Sequence, residues 1–458
     1  TKALIDRAYH ALIDRASDLD DECVEVLAEA FAYHLMHNGY HSDWSPFIGE
    51  NVTVQAQRFV RRAFDRLLRL SFHQNLMHRL PEAVQVYVPP EPLAASNLPV
   101  QGKREFSHMT SLIRIKEPDE HGVVSYCEQL QRELAKRHRE QNDDLSGPEG
   151  KHEQHDVVGN EEGVDSPKRR RLEEVSPDVR SKSELSAVGI QPHAQAIGDA
   201  TQTDGPQTLD GQGEIVKATK VEEDQKIFAE PWSLEAVVEL FTVAVLQNGS
   251  KTPTHMNKIL DGHARVFEKL RPSDEDEAHS FAKTIARCIF EFWRSSSQHL
   301  EITLDALLQR GILTPRSVVE HALSERGPQG CDSMAVRNII DSVARKSLEH
   351  SQTVRVELAL AKKVGKPEVL DSCRQQLDGA IHETAELFTL IFTGLVRNHQ
   401  DFEDTDMLLR HVMLQRVLTV GRKYHMFIKP LLDAAESRVP GVAHNAEIAA
   451  VFQSLRTL

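Results

Sequence analysis

The amino-acid sequence predicts an all-α protein built from stacked pairs of amphipathic helices. Apolar residues recur three or four positions apart through most of the chain, which is the spacing of one helix face. Strand-type alternation is almost absent, and its best candidate, VQVYV at 84–88, runs directly into PPEP. An amphipathic helix cannot hide its apolar stripe alone, so stacking against similar helices is expected.

The clearest helix pair lies at residues 288–323. Gly311 supplies a stop signal for the first helix, Thr314 is the expected N-cap of the second, and Pro315 presets φ at its first position. The apolar stripes are Leu300, Leu304, Leu307 and Leu308 in the first helix and Val318, Val319, Ala322 and Leu323 in the second.

The same design recurs in six further stripes along the chain. They are Val24, Leu27, Phe31 and Leu35; Phe59, Val60, Ala63, Phe64, Leu67 and Leu68; Val237, Val238, Phe241 and Val245; Ile259, Val266, Phe267 and Leu270; Phe281, Ile285, Cys288, Ile289 and Phe292; and Ile339, Ile340 and Val343. Because these segments share no strict repeat consensus, the sequence favours a HEAT-like helical-repeat array over a repeat family with a sharp motif.

One segment of different composition interrupts the helices. No Phe, Trp or Tyr occurs between Tyr126 and Phe228, and residues 144–226 are rich in Asp, Glu, Gly, Ser, Gln and Pro. Such a segment buries too little apolar surface to offset the entropy of ordering it, so we predict a long disordered insert. The insert holds a net charge of −8 out of the −15 of the whole chain.

The insert contains a short basic cluster in the stretch DSPKRRRLEE. Lys168, Arg169, Arg170 and Arg171 are consecutive, and Ser166 before Pro167 is a candidate phosphorylation site that would tune the cluster. A basic run in an exposed segment is what a nuclear import receptor recognises. The alternative is an ordinary solvated charge run, and the residues themselves do not decide between the two.

Composition limits the other classes of function. The five cysteines have no paired spacing, which fits a reducing compartment and argues against a cysteine-based zinc module. No apolar run approaches the roughly 20 residues of a membrane span, so no membrane contact is predicted. Outside the insert the net charge is only −7, which argues against a large nucleic-acid surface.

Catalytic and metal-binding patterns are not found. His34, His37 and His41 could share a helix face, but Gly39 is expected to end that helix first, so ordinary helix-end histidines are the preferred interpretation. No Gly-rich phosphate loop, nucleophile elbow, kinase signature or RNA-recognition motif is present. We therefore predict no enzyme, no catalytic residue, no metal and no cofactor.

Several segments together resemble a known family. IFEFWR, LLQRGILTPRSVVEHAL, FVRRAFDRLLRLSFHQNLMHRLP and IAAVFQSLRTL are similar, in the same order, to the second and third helical domains of the large subunit of the nuclear cap-binding complex. The similarity covers Leu4 to about Pro92 and about Leu234 to Leu458. No single motif is diagnostic, and the collinear set carries the resemblance.

The resemblance implies helical domains of the type first seen in the middle domain of initiation factor 4G. Residues 1–95 would be part of the second domain, 96–143 a connector and the first helix of the third, 144–226 the insert, and 227–458 the third domain. The family's first domain and its usual import signal would lie before Thr1. Its long charged helical hairpin looks abbreviated here, with Gly365 and Pro367 making the turn.

The resemblance also implies a function. The family's large subunit binds and stabilises a small RNA-recognition subunit that holds the methylguanosine cap, so capped RNA is contacted only through that subunit. The expected role is a nuclear scaffold that also shuttles to the cytoplasm and recruits factors for RNA splicing, processing and export. An import receptor would be a further partner. The alternatives are a helical-repeat nuclear transport receptor and a translation-initiation scaffold.

No motif marks the residues of a partner interface. Trp44, Trp232 and Trp293 are candidate anchors, because large aromatic side chains dominate many interfaces. The competing expectation, which we prefer, is that these tryptophans pack in the core.

Overall fold

The computed structural model describes residues 2–16, 19–49, 52–114, 119–145, 233–324, 330, 333–364, 367–401, 407–439 and 445–458. These ranges contain α-helices and short 3-10 turns and no strand, which confirms the predicted all-α class. The segment VQVYV falls in the short helix α5 and the turn that follows it. Beyond the last residues of the helix that ends at Leu145, the predicted insert lies outside the described ranges.

The helices follow one another with short connections. The first five are α1 (Lys2–Asp14), α2 (Asp21–His37), α3 (Val54–Leu70), α4 (His73–Arg79) and α5 (Glu82–Gln85). Then come α6 (Arg104–Ile113), α7 (Glu120–Leu145), α8 (Leu234–Gly249), α9 (Pro253–Leu270), α10 (Glu275–Phe292), α11 (Ser297–Gln309) and α12 (Pro315–Ser324). The last six are α13 (Met334–Val364), α14 (Pro367–Asp401), α15 (Met407–Lys423), α16 (His425–Ile428), α17 (Leu432–Arg438) and α18 (Ala446–Thr457).

Two hydrophobic cores form along this series. The first core joins buried residues between Ile13 and Val84, with Phe31, Phe59 and Phe64 at its centre. The second core runs from Val100 to Leu455 and draws on α6 to α18. Helices α6 and α8 pack together in this second core, so the chain before the insert supplies part of it.

The local signals at α11 and α12 act as predicted. Helix α11 ends at Gln309, and Gly311 follows with φ +66°, a left-handed conformation that glycine adopts without strain. The Oγ1 atom of Thr314 accepts a hydrogen bond from the backbone N–H of Ser317 at 3.1 Å, and Pro315 begins α12. Both predicted stripes face the second core.

Helices α13 and α14 form a long antiparallel hairpin. They are 31 and 35 residues long, or about 46 and 52 Å at 1.5 Å per residue; α13 ends at Val364 and α14 begins at Pro367, while Gly365, which was predicted to lie in the turn, is outside the described residues. Along the outer part of α13 the buried positions are Ser351, Val354, Leu358 and Ala361, which alternate three and four residues apart. This spacing is that of a two-helix coiled coil. No described helix combines the length and apolar composition needed to cross a bilayer.

Two glycines provide a matched test of this packing. A Cβ added at Gly421 in α15 would lie 2.3 Å from Leu455 Cδ2 of α18, whereas a Cβ added at Gly379 in α14 meets no atom within 4 Å. We expect Gly421→Ala to lower the free energy of unfolding by about 1–2 kcal/mol through overpacking. Gly379→Ala should raise it by up to about 1 kcal/mol because alanine favours the helix. Urea denaturation followed by circular dichroism measures both; equal effects would contradict the close approach of α15 and α18.

Candidate interaction site at the joint between the two cores

A buried network of charges connects the two cores and is termed the joint. Its members are Asp21 and Glu25 on α2, Arg58 and Arg62 on α3, and Arg337 on α13. Arg58 and Arg62 donate to Asp21 Oδ1 at 3.0 and 2.8 Å, and Arg337 donates to Asp21 Oδ2 at 2.6 Å. Glu25 pairs with Arg62 at 3.1 Å and also with Arg337. The two carboxylates therefore link three helices from both cores.

The arginines determine the ionisation of Asp21. Burial alone would raise the pKa of this carboxyl, but the guanidinium groups of Arg337, Arg62 and Arg58 lower its pKa from 3.8 to about 2. A folded-state pKa below the unfolded value stabilises the fold above about pH 4, and this contribution is lost as the pH falls toward 2. The shift corresponds to about 2 kcal/mol at neutral pH.

Asp65 on α3 shows the opposite behaviour beside the joint. Burial raises the pKa of its carboxyl from 3.8 to about 6, although Arg69 opposes this rise and Glu25 adds to it. The folded state therefore prefers the protonated acid. Ionisation of Asp65 weakens the fold as the pH rises from about 4 through 6.

Further contacts attach the first core to the second around the joint. Arg69 donates to Glu301 of α11 at 3.1 Å, and Arg422 of α15 donates to Asp20 at 3.0 Å. In the connection that follows the first core, Ala95 donates its backbone N–H to the carbonyl of Phe292 at 2.9 Å, which attaches this connection to the second core. Because the contacts reach α11, α13, α15 and the end of α10, they fix the orientation of the two cores.

A groove of about 400 Å³ opens next to the joint. Its lining residues are Ala16, Leu19, Asp21, Val24, Gln55 and Arg58 from the first core and Met407, His411, Val412 and Gln415 from α15. Met407 is 61% exposed at its edge, and Gln415 Nε2 lies 3.3 Å from His411 Nε2. The walls are largely apolar, while the charges at the base are already paired. Such a groove suits an apolar side chain of a partner protein.

A second cavity, of about 320 Å³, lies between α8, α10 and α12. Beside it, Glu320 accepts hydrogen bonds from His279 and Arg316, both at 2.8 Å. Burial opposes ionisation of Glu320, but these hydrogen bonds prevail and lower its pKa. These polar groups beside the second cavity are therefore paired with one another. In the described ranges, no group of three or more His, Cys, Asp or Glu side chains is arranged to hold a metal ion.

The residues singled out in the sequence occupy varied positions. His34 lies 3.2 Å from Asp6 Oδ1, His37 is the last residue of α2, and His41 follows the turn at Gly39, so the expected helix end is confirmed. The structure does not bring the three histidines together as ligands. The basic cluster Lys168–Arg171 lies outside the described residues.

The tryptophans that the structure describes belong to the cores. Trp44 is 8% exposed and its ring centroid lies 6.0 Å from that of Phe64. Trp293 is 2% exposed and stacks on His299 at 4.7 Å. Core packing, the preferred expectation, is therefore confirmed for both, and Trp232 lies outside the described ranges.

The joint was missed in the sequence, where helix α2 was described only by its apolar stripe. A usable signal existed. Asp21, Glu25 and Glu29 recur every four residues, and Arg58, Arg62 and Arg66 do the same in the next long helix. In the structure Arg66 lies within 4.0 Å of both Glu25 and Glu29, which completes this pairing of two charged faces.

Comparison with known proteins gives a consistent result. Residues 208–423 match the family described as MIF4G like. The chain is similar to nuclear cap-binding protein subunit 1 of Homo sapiens, at 22% identity over 250 residues that cover 48% of this chain and 31% of the human protein. The Gallus gallus protein of the same name is 18% identical over 485 residues, covering 99% of this chain and 50% of that protein.

The chain thus spans between about a third and a half of the length of these relatives. The chain is similar at a distance to nuclear cap-binding protein subunit 1, and part of it matches a MIF4G-like helical-repeat domain. The resemblance and the helical-repeat class predicted from the sequence are both confirmed at this level.

Arg337 tests the joint directly. Arg337→Ala leaves Asp21 and Glu25 with fewer partners in a buried site, and we expect the free energy of unfolding to fall by about 3–5 kcal/mol. Arg345→Ala on the same helix removes only an exposed ion pair with Glu349 and should change the free energy of unfolding by less than about 0.5 kcal/mol. Urea denaturation at pH 7 compares the two variants. Equal losses would contradict a buried joint.

Asp65 gives a pH-dependent test. Asparagine carries no ionisable proton, so Asp65→Asn should become more stable relative to the parent chain as the pH rises from 4 to above 6, by at most about 3 kcal/mol. Thermal denaturation across this range measures the difference. Parallel pH profiles for parent and variant would show that Asp65 ionises normally in the folded protein.

Proposed function

We propose that this chain is the large scaffold subunit of a nuclear cap-binding complex. In this role it binds and stabilises a small RNA-recognition subunit, and that subunit holds the 5′ methylguanosine cap of nuclear transcripts. The complex then serves as a platform for factors of RNA splicing, processing and export. The chain acts in this proposal as a scaffold rather than as an enzyme.

The observation that carries the proposal is similarity along almost the whole chain to proteins named nuclear cap-binding protein subunit 1. One such alignment covers 99% of the chain, so it includes both cores and the segment between them. The MIF4G-like match independently covers residues 208–423. Identity near 20% supports a shared architecture and role better than it supports any single interface residue.

The joint supports a scaffold role in physical terms. A partner that contacts two helical cores loses less entropy on binding when the cores are already fixed in orientation. The buried pairs of Asp21 and Glu25 supply that constraint. The neighbouring groove takes its lining from both cores, and its apolar walls suit an anchor residue of the small subunit.

The proposed mechanism is stabilisation of a cap-competent conformation. If the free small subunit adopts that conformation for about 1% of the time, a scaffold that binds only this form can raise apparent cap affinity up to about 100-fold. The scaffold needs no contact with the cap for this effect. In this proposal the complex is nuclear and shuttles, and Lys168–Arg171 contribute an import signal read by an import receptor.

Retention on methylguanosine-capped RNA tests the proposal. The chain alone, the cognate small RNA-recognition subunit alone and the mixture are compared on the same resin, with uncapped RNA as control. We expect strong, cap-dependent retention only for the mixture. Failure of the two proteins to co-purify would contradict the assignment and favour a helical-repeat transport receptor.

Substitution of two exposed methionines, in the same assay, tests whether the groove binds the small subunit. Met407 lies at the groove, whereas Met426 on α16 is 83% exposed and does not line it. Met407→Glu should weaken co-purification of the small subunit about tenfold or more, because it puts a charge against an apolar anchor. Met426→Glu should leave it unchanged. Equal behaviour of the two variants would exclude the groove while leaving the scaffold role intact.

A further inference from the structure

The outer half of α13 carries an apolar stripe that no described element covers. Val356 is 59% exposed and Leu360 is 55% exposed, while the buried positions Val354, Leu358 and Ala361 face α14. Val356 and Leu360 lie one helical turn apart, with the small residue Ala359 beside them. These three residues, Val356, Ala359 and Leu360, are termed the distal stripe.

Basic residues lie along one edge of the distal stripe, whereas the exposed Glu357 lies on its other edge. Arg355, Lys362 and Lys363 are exposed, and among the residues that the structure describes none forms an ion pair with them. The same hairpin pairs other charges readily, as in Arg345–Glu349 on α13 and Arg374–Asp371 on α14. The positive charge next to the stripe is therefore not neutralised by the folded chain.

The distal stripe and its basic residues together would fit a helix of a particular kind. A helix docks on another helix by inserting a row of apolar side chains between those of its partner, at a spacing of three and four residues. Thr353, Val356, Leu360 and Lys363 follow that spacing in one row. Glutamate or aspartate residues beside the partner's apolar row would then meet Arg355, Lys362 and Lys363.

We propose that the distal stripe binds an amphipathic helix of another protein, with leucine-type residues on one face and acidic residues along the edge that meets Arg355, Lys362 and Lys363. This surface goes beyond the proposed binding of the small subunit, since it involves neither the joint nor the groove. It gives the hairpin a function of its own as a second binding site.

Charge also argues against the other occupants. A second copy of the chain would offer one acid, Glu357, to the three basic residues Arg355, Lys362 and Lys363, so most of this positive charge would stay unmatched. A single-stranded RNA would use the basic residues but would gain little from Val356 and Leu360, which are aliphatic and cannot stack on bases as aromatic rings do.

The probe is a synthetic helical peptide with a leucine row and glutamates along one edge. Its binding to the full chain is measured by fluorescence anisotropy at low and high salt, beside an otherwise identical peptide with lysines in place of the glutamates. We expect the glutamate peptide to bind more tightly, and its affinity to fall as salt rises. Equal affinity of the two peptides would overturn the proposal.

Substitutions locate the binding. V356Q together with L360Q should weaken the glutamate peptide at least about tenfold. V26Q together with I381Q is the control, because Val26 on α2 and Ile381 on α14 are 63% and 43% exposed and lie near acidic rather than basic residues, so binding should be unchanged. Equal loss in both double variants would overturn the proposal.

Charge reversal gives a gain of binding that misfolding cannot imitate. K362E together with K363E should lose the glutamate peptide and acquire affinity for the lysine peptide. An unchanged peptide preference would overturn the proposal. So would a dimer, detected by light scattering, that V356Q with L360Q abolishes. The third contradicting result is RNA binding that K362E with K363E removes, in a chain that does not bind the glutamate peptide. None of these experiments uses the small subunit, so their failure leaves the proposed scaffold role untouched.

Discussion

The rest of the structure depends on one buried carboxylate, that of Asp21. Three arginines from two helices donate to it, and one of them, Arg337, is 316 residues away in the chain. A buried charge is tolerated only when its hydrogen-bonding capacity is matched, so these groups cannot separate without leaving ions unpaired in a site of low dielectric. Apolar packing would also join the two cores, but it would not select one orientation as strictly. The joint therefore sets the geometry of the groove beside it.

The helices themselves could be predicted because their causes are local. The stop at Gly311 and the start at Thr314 and Pro315 each rest on backbone geometry within a few residues, and all three act as expected. The apolar stripes are equally local, since helical spacing alone decides which residues share a face. The end of α13 at Val364 and the start of α14 at Pro367 likewise lie beside the Gly and Pro residues of the sequence.

The site could not be predicted in the same way, because its contacts join distant parts of the chain. Repeated acids in α2 and repeated arginines in α3 were a signal from which the pairing of these two helices could have been predicted. Nothing near Arg337 distinguishes it from an arginine on a solvated helix face such as Arg345, yet one is buried in the joint and the other is exposed. Only the packing of α13 against the first core makes the difference. The groove follows from that packing and has no sequence signature of its own.

Helix α13 connects the joint with the hairpin. Arg337 lies near its start and Val356 lies 19 residues later, or about 29 Å along the same helix. A continuous helix paired with α14 transmits orientation over this distance with little bending. The basic residues of α13 differ between its two ends. Arg337, near the start, is paired with Asp21 and Glu25. Near the other end, Arg355, Lys362 and Lys363 are exposed and form no ion pair with described residues. The ion pairs that fix the cores therefore also fix the direction of the hairpin, and the distal stripe has a defined position relative to the groove.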